Sequence, residues 1–409
     1  MDNIAGQKSG LSIATHIATV LLVLIWIIPT LGLAITSFRE SDAISETGWW
    51  RALQGAPQSF VLSVPVDGQV EVDGGTWVLE TNIFEGSTTE GLPPSVVARG
   101  AVDAFGLSRL RGADTAPGET VETRQGLSVT LEADGALRAT SPEEMDGAIQ
   151  LPVRLVAPPQ MTTENYTEVL TGTGSAERAA LRERGVGLDR LLFSGEALFG
   201  PFVNTLTVAI PATIIPILIA AFAAYALAWM DFPGRGFLIA MVVGLLVVPL
   251  QLAFVPITII HGWFGIGKSF LGIWLAHTGF GLPLAVYLLR NYMVGLPRDI
   301  IECAKVDGAT DFEIFRKIVL PLSFPALASF AIFQFLWTWN DLLVASVFLP
   351  SDAESTVMTR FVVTSLLGSR GGEWHILAAA AFVMIAVPLL VFFTMQRYLV
   401  RGLLAGSVK

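Results

Sequence analysis

Six apolar stretches fix most of what this chain can become. A helix rises 1.5 Å per residue, so about 20 apolar residues cross the roughly 30 Å hydrocarbon core of a bilayer. Stretches that meet this requirement lie near residues 12–37, 202–229, 237–260, 271–289, 324–348 and 376–396. In lipid, every backbone N–H and C=O must be satisfied within the protein, and a helix does so segment by segment. The sequence therefore predicts an all-α polytopic membrane protein with six transmembrane helices. Composition agrees, since 53% of the 409 residues are hydrophobic and only 15% are charged, against about 25% charged in soluble proteins. The first stretch, "SIATHIATVLLVLIWIIPTLGLAITSF", is longer than the roughly 7–15-residue core of a secretory signal, so it reads as an uncleaved first span.

Charge then orients the spans. The short loops on the side of the N-terminus carry Lys8, Arg235, Arg290, Arg298, Lys305, Arg316, Lys317, Arg397, Arg401 and Lys409, whereas the opposite short loops carry only Lys268, Arg360 and Arg370. The excess of basic residues marks the cytoplasmic side, so both termini are expected there. The long segment 38–198 falls outside. It holds 12 Arg, no Lys and 24 Asp or Glu, a net −12 that outweighs the +2 of the remainder and sets the chain's net charge of −10. No basic surface remains to suggest a nucleic-acid partner. The single cysteine, Cys303, leaves no intramolecular disulfide to brace an exported domain.

The outer segment has a pattern of its own. "FVLSVPVDGQVEVDGGTWVLETNIF" and "LSVTLEADGALRAT" alternate apolar and polar residues around Asp67-Gly68, Asp73-Gly74 and Asp134-Gly135, the usual signal of β-hairpins. A β-rich insert at about 56–156 is expected, followed by a connector of short helices over 157–198. It reads either as a spacer or as a docking surface for an extracytoplasmic partner. Residues 262–269, "GWFGIGKS", fit the phosphate-loop pattern G-x-x-x-x-G-K-[ST]. That motif needs a preceding buried strand and access to nucleotide. Here it sits in an outer turn between two spans, so it reads as a chance match.

The loop between the fourth and fifth spans, about 290–323, carries the most complete local signals. Pro297 suits a helix start, and Gly308 suits a helix end that needs a left-handed residue. Thr310 and Glu313 stand in capping-box spacing, and Phe312, Phe315 and Val319 follow with helical period. Pro321 and Pro325 end the second helix before the next span. Two short helices joined by a tight turn are expected. From spacing alone, such a loop serves either to cover the ends of spans or to be gripped by a partner. A DNA-binding helix-turn-helix is disfavoured by Asp299, Glu302, Asp307, Asp311 and Glu313, which repel phosphate.

At this point the residues reach a resemblance. Glu302-Cys303-Ala304, Asp307-Gly308-Ala309, Ile318, Leu320 and Pro321 resemble the "EAA…G…I.LP" loop of binding-protein-dependent ABC importer permeases, with Cys303 where the family usually has alanine. "NTLTVAIPATIIPILIAAFAAYALAWMDFPGRG", "LGIWLAHTGFGLPLAVYLLRNYM", "FQFLWTWNDLLVA" and "RYLVRGLLAGSVK" resemble the maltose or α-glucoside branch. The resemblance covers about 12–37 and 160–409, and the long outer insert matches it more loosely. It implies a type I ABC importer permease fold divided as 1–37, 38–198 and 199–409, in a bacterial inner membrane and in contact with lipid. It also implies a non-catalytic chain that imports a carbohydrate, with ATP and magnesium on separate ATPase subunits and no cofactor or metal of its own. Partners implied are a second permease subunit, a homodimeric ATPase and an extracytoplasmic solute-binding protein. In such importers the loop docks on the ATPase, with Glu302 pairing with a basic residue, Ala304 and Gly308 permitting close approach, and residues 297–321 acting as a rigid lever.

Polar residues inside the spans complete the reading, because they tend to face a cavity or another helix. Gln334 lies well inside the fifth span, Gln251 beyond the middle of the third, and Asn340 and Asp341 near the outer end of the fifth, framed by Trp337 and Trp339. Asn340 and Asp341 suit a sugar path, and they suit a helix end equally. His16, His261, His277 and His375 are scattered and suggest no metal site. The outer loop "PSDAESTVMTRFVVTSLLGSRGGEWH" is long for a plain connection, and by resemblance it faces the solute-binding protein. Two other classes stay open from the residues alone. One is an ion-coupled secondary sugar transporter, although neither internal repeats nor midplane charges are evident. The other is an enzyme or sensor built on the outer segment, which shows no nucleophile or metal motif.

Overall fold

The structure is a computed structural model that describes residues 10–404, apart from 73–74, 90–91, 93, 108–111, 124, 158–160 and 370–371. The Asp73-Gly74 turn, the basic residues Lys8, Arg370 and Lys409, and the end of the C-terminal tail lie outside the described residues. The chain forms two compact units, Met1–Thr163 and Glu164–Lys409.

The first unit contains the helix Gly10–Ser37 and a β domain of two antiparallel sheets. Strands β1 (Ala56–Pro65), β8 (Ala148–Ala157) and β4 (Ala101–Phe105) form one sheet in the order β1-β8-β4. Strands β2 (Val70–Val72), β3 (Thr76–Asn82), β7 (Ala136–Ser141), β6 (Ser128–Leu131) and β5 (Thr120–Glu122) form the other, in the order β2-β3-β7-β6-β5. Side chains alternate faces along a strand, and β8 shows this by burying Ile149, Leu151, Val153 and Leu155 while Gln150 and Arg154 stay exposed. Inward residues of both sheets, among them Val64, Leu79, Phe105, Val129 and Leu131, share one core. Each such burial contributes about 1.5–3 kcal/mol, so the domain is held by packing.

Of the three expected hairpins, the strand pairs β2–β3 and β6–β7 are present and the one at Asp67-Gly68 is not. Asp134-Gly135 joins the paired strands β6 and β7, with Gly135 at φ +89°. Asp67-Gly68 also turns the chain, with Gly68 at φ +93°. There, however, it sends the chain from one sheet to the other, and β1 pairs with β8 while β2 pairs with β3. The dipeptide supplies the turn, but the partner of β1 lies far along the chain, in β8.

The second unit is helical. It begins with Glu164–Thr171, Ser175–Glu183 and Leu188–Leu192, the short helices expected of the connector. They pack within this unit, since Val169 and Leu198 are buried with Trp339, Ile376 and Ala379 in one cluster. Phe199–Trp229 and Phe270–Val294 pack through small residues, including Ala220, Ala224, Ala276 and Ala285, which let membrane helices approach closely. Trp374–Leu404 is the last long helix.

Two spans expected as continuous helices are broken. The third is Arg235–Leu245 followed by Leu250–Trp263, bent by 110°. Pro249, at φ −61° and ψ 126°, precedes the second piece; proline lacks an N–H and pushes the residue before it out of the helical region. The fifth ends at Trp339, with a separate helix over Leu343–Phe348. The helical stretch that leads into it, Asp311–Leu322, meets Phe324–Trp339 at 69°. Among the described residues, four helices are long and apolar enough to cross a membrane, or six if each bent pair counts as one span.

Candidate functional site

The loop that follows the fourth span is built as its spacing predicts. The helix Arg298–Val306 begins one residue later than expected, with Pro297 as its cap. Its far end is closed by two backbone bonds, Gly308 N–H to Lys305 O at 3.1 Å and Ala309 N–H to Ala304 O at 3.0 Å. That pairing needs a left-handed residue between helix and turn, and Gly308 supplies it at φ +82°. Thr310 then caps the next helix. Its hydroxyl accepts from Glu313 N–H at 3.3 Å, while the Glu313 carboxylate accepts from Thr310 N–H at 3.1 Å. The Thr310 N–H, followed by the Lys317 ammonium at 3.1 Å, holds the Glu313 carboxyl down to about 2. The helix continues through a wider π turn over Phe315–Val319 into Leu320–Leu322. Pro321 thus lies inside the helical stretch, and the break falls at Ser323.

Packing divides the loop into anchors and a free face. Ile301 is the only fully buried residue of the first loop helix, at 2% exposure. It joins Ile314, Phe315 and Val319 in a cluster with Ala224, Tyr225, Leu289 and Met293 of the second and fourth spans. Ala304, Ile318 and Leu320 pack against this cluster. Phe315 also meets Phe222 and Tyr225, with ring centres 4.7 and 5.3 Å apart. Asp311 accepts a long hydrogen bond from the Tyr225 hydroxyl at 3.4 Å and lies 3.9 Å from Lys305. Glu302, Asp307, Gly308 and Pro321 are exposed, and an open cleft runs along Asp307, Gly308, Glu313, Lys317 and Ile318. The free face thus carries carboxylates and a glycine, while its back is fixed to two spans.

The four polar residues marked along the spans do not converge. Gln334 is fully buried and donates to Ala212 O at 3.2 Å. A Cβ at Gly281 would stand 2.6 Å from its Oε1, so glycine on the fourth span makes room for it. Gln251 and Asn340 are exposed. Asp341 accepts from Ala345 N–H at 3.1 Å and so starts the helix Leu343–Phe348, which ends the fifth span short of 348. Trp339 is core, its ring N–H donating to Met384 O at 2.9 Å, and it offers no open face to a sugar.

One residue of this region carried no signal in the sequence. His277 is fully buried, with Nε2 3.9 Å from Asp341 Oδ2 and its ring edge-on to Trp337. A small cavity there is lined by Thr205, His277, Thr338, Trp339 and Asp341. A lone histidine on an apolar stretch gives no hint of its neighbour, because the break that brings Asp341 beside it is a tertiary feature.

The outer loop is pinned rather than loose. Asn204 donates to Glu354 O and Thr356 O at 2.7 and 2.9 Å, and Thr205 accepts from Met358 N–H at 3.0 Å. Arg360 is largely buried and donates to Pro350 O and to Ala345 O. Ser355 donates to Asp352 and holds its carboxyl below the usual range. The phosphate-loop look-alike also has a structural use. Gly262 lies in the last turn of the helix Leu250–Trp263, Gly267 turns the chain at φ +58°, and Ser269 caps the fourth span by accepting from Gly272 N–H at 3.0 Å.

Comparison with known proteins agrees with this architecture. Residues 197–404 match the family described as the binding-protein-dependent transport system inner membrane component. The alpha-glucoside transport system permease protein AglG of Rhizobium meliloti is 51% identical over 98% of this chain and 98% of its own length. The osmoprotective compounds uptake permease protein GgtD of Synechocystis is 58% identical over 51% of this chain and 70% of its own. Among solved structures, a bacterial ABC transporter involved in the import of the acidic polysaccharide alginate has a chain that overlaps 59% of this one and 81% of its own, at TM-score 0.45 and 20% identity.

Proposed function

The chain belongs to the family of binding-protein-dependent inner-membrane permeases, and on that premise we propose that it imports an α-glucoside or a maltose-like oligosaccharide. It is a multi-pass, non-catalytic subunit of an ABC transporter with a binding protein, and ATP is hydrolysed on partner subunits. This membership sets aside both the ion-coupled transporter and the outer enzyme. The sugar class rests on the identity to the α-glucoside permease, which extends through the outer insert.

The finer assembly follows from the loop and the charge pattern. The chain pairs with a second permease subunit on a homodimeric ATPase, and both its termini face the cytoplasm. The segments 1–37, 38–198 and 199–409 then serve as N-terminus with first span, outer insert with connector, and transport core. Glu302, with Asp307 and Gly308 beside it, meets the ATPase. Ala304, Ile318 and Leu320 set the loop against the spans and Pro321 stands on its exposed side, so that ATPase closure moves the second and fourth spans with it. Asn340, Asp341 and Gln251 line the sugar path, and Gln334 shapes it from behind as a helix–helix contact. The outer loop near 350–375 meets the solute-binding protein. The observation that carries this reading is the exposed Glu302 on a helix locked to two spans. Replacing Glu302 by Lys should abolish sugar-stimulated ATP hydrolysis in vesicles while leaving membrane insertion intact; full transport by that variant would overturn the coupling role.

A further inference from the structure

A narrow groove runs between the helix Arg235–Leu245 and the cytoplasmic half of the fourth span. Its lining is apolar at Ile239, Val243 and Val286 and polar at Tyr287, Arg290 and Asn291. Depth along the helix orders these groups. At 1.5 Å per residue, Arg290 stands about 6 Å and Val286 about 12 Å from the helix end at Val294. The groove therefore passes from charged to apolar as it enters the membrane, as a phospholipid does.

Arg290 is not consumed by the protein. Its Nε is buried without a hydrogen-bond partner, it makes no ion pair among the described residues, and one terminal nitrogen reaches only the neutral Asn291 at 3.2 Å. Arg235, the first residue of the groove's other helix, differs. It is spent on Asp231 and on the Leu227 and Ala228 carbonyls that end the second span. A guanidinium with donors to spare suits a phosphate, which it binds with two parallel bonds, and basic pockets between helices on the cytoplasmic side bind anionic head groups.

We propose that this groove holds an anionic phospholipid of the cytoplasmic leaflet, its phosphate on Arg290 and one acyl chain along Val286 and Val243. The leaflet rests on the orientation proposed above; the site itself does not. Because the groove lies between the helix that enters the bent third span and the span that leads into the Glu302 loop, its lipid ties the two together.

The test is native mass spectrometry of the purified importer after exchange into detergent carrying phosphatidylglycerol or phosphatidylcholine. Phosphatidylglycerol should be retained in preference. Arg290→Gln should lower its retention about fivefold, the factor that about 1 kcal/mol per basic residue near an anionic surface gives. Val243→Trp, which fills the apolar wall, should lower it too, and Lys268→Gln at the other end of the span should not. Equal retention of both lipids, or unchanged retention in Arg290→Gln, would overturn the proposal. So would a Val243→Cys cross-link to the sister permease, which would make the groove a protein interface. Labelling of Cys303 by an impermeant maleimide from outside intact cells would overturn the leaflet alone.

Discussion

Replacing Ile301 by Ala tests whether the Glu302 loop is a rigid lever. Ile301 is the one fully buried residue of a nine-residue helix and reaches a cluster formed by two spans. Removing its outer methyl and methylene groups costs about 2–4 kcal/mol. A helix this short does not persist without packing, so the loss should free residues 298–306 without unfolding the spans. Hydrogen exchange of those amides should rise about 30- to 700-fold, since each 1.4 kcal/mol is about tenfold. Exchange in Phe199–Trp229 and Phe270–Val294 should be unchanged. In vesicles, sugar transport should fall further than basal ATP hydrolysis. Ile301→Val should cost only about 0.5–1.5 kcal/mol and keep coupling. Unchanged exchange over 298–306, or equal loosening of the spans, would mean that Ile301 does not anchor this helix.

Three further predictions concern the same loop. Gly308→Ala meets no atom within 4 Å, so its cost is the left-handed backbone alone, about 1–2 kcal/mol; local exchange should rank Gly below Asn and Asn below Ala, and any other order would count against the turn geometry. Because the Glu313 carboxyl is held down to about 2 in the folded loop, its contribution is complete above its ordinary value and lost as pH falls toward 2. Protection of 311–319, corrected for intrinsic exchange, should therefore stay level from pH 8 to about 5 and drop below about 4. Cys303 is exposed and is the only cysteine, so an impermeant maleimide should label it in inverted vesicles and not in intact cells; the reverse pattern would invert the topology.

What was legible in the sequence was local. Gly308, Thr310 and Glu313 announce their turn and cap because each acts on backbone groups a few residues away, and Asp134-Gly135 announces its hairpin for the same reason. Asp67-Gly68 misleads because strand pairing is decided by distant partners, here β8 and β3. Counting apolar residues finds the third and fifth spans but passes over the break before Pro249 and the helix start at Asp341. The polar residues within the spans were least legible. A glutamine in an apolar run reads the same whether it faces a cavity or, as Gln334 does, fills the space left by Gly281. His277 gains its meaning only from the break that brings Asp341 to within 3.9 Å.

This chain works as the membrane half of an ATP-driven machine. The most direct measurement is affinity purification of the tagged chain from its native membrane in mild detergent, with subunit stoichiometry by mass spectrometry and an ATPase assay on the product. One sister permease and two ATPase copies, with hydrolysis stimulated by an α-glucoside and its binding protein, is the predicted result. Recovery of the chain alone, with transport intact and driven by an ion gradient, would contradict the account.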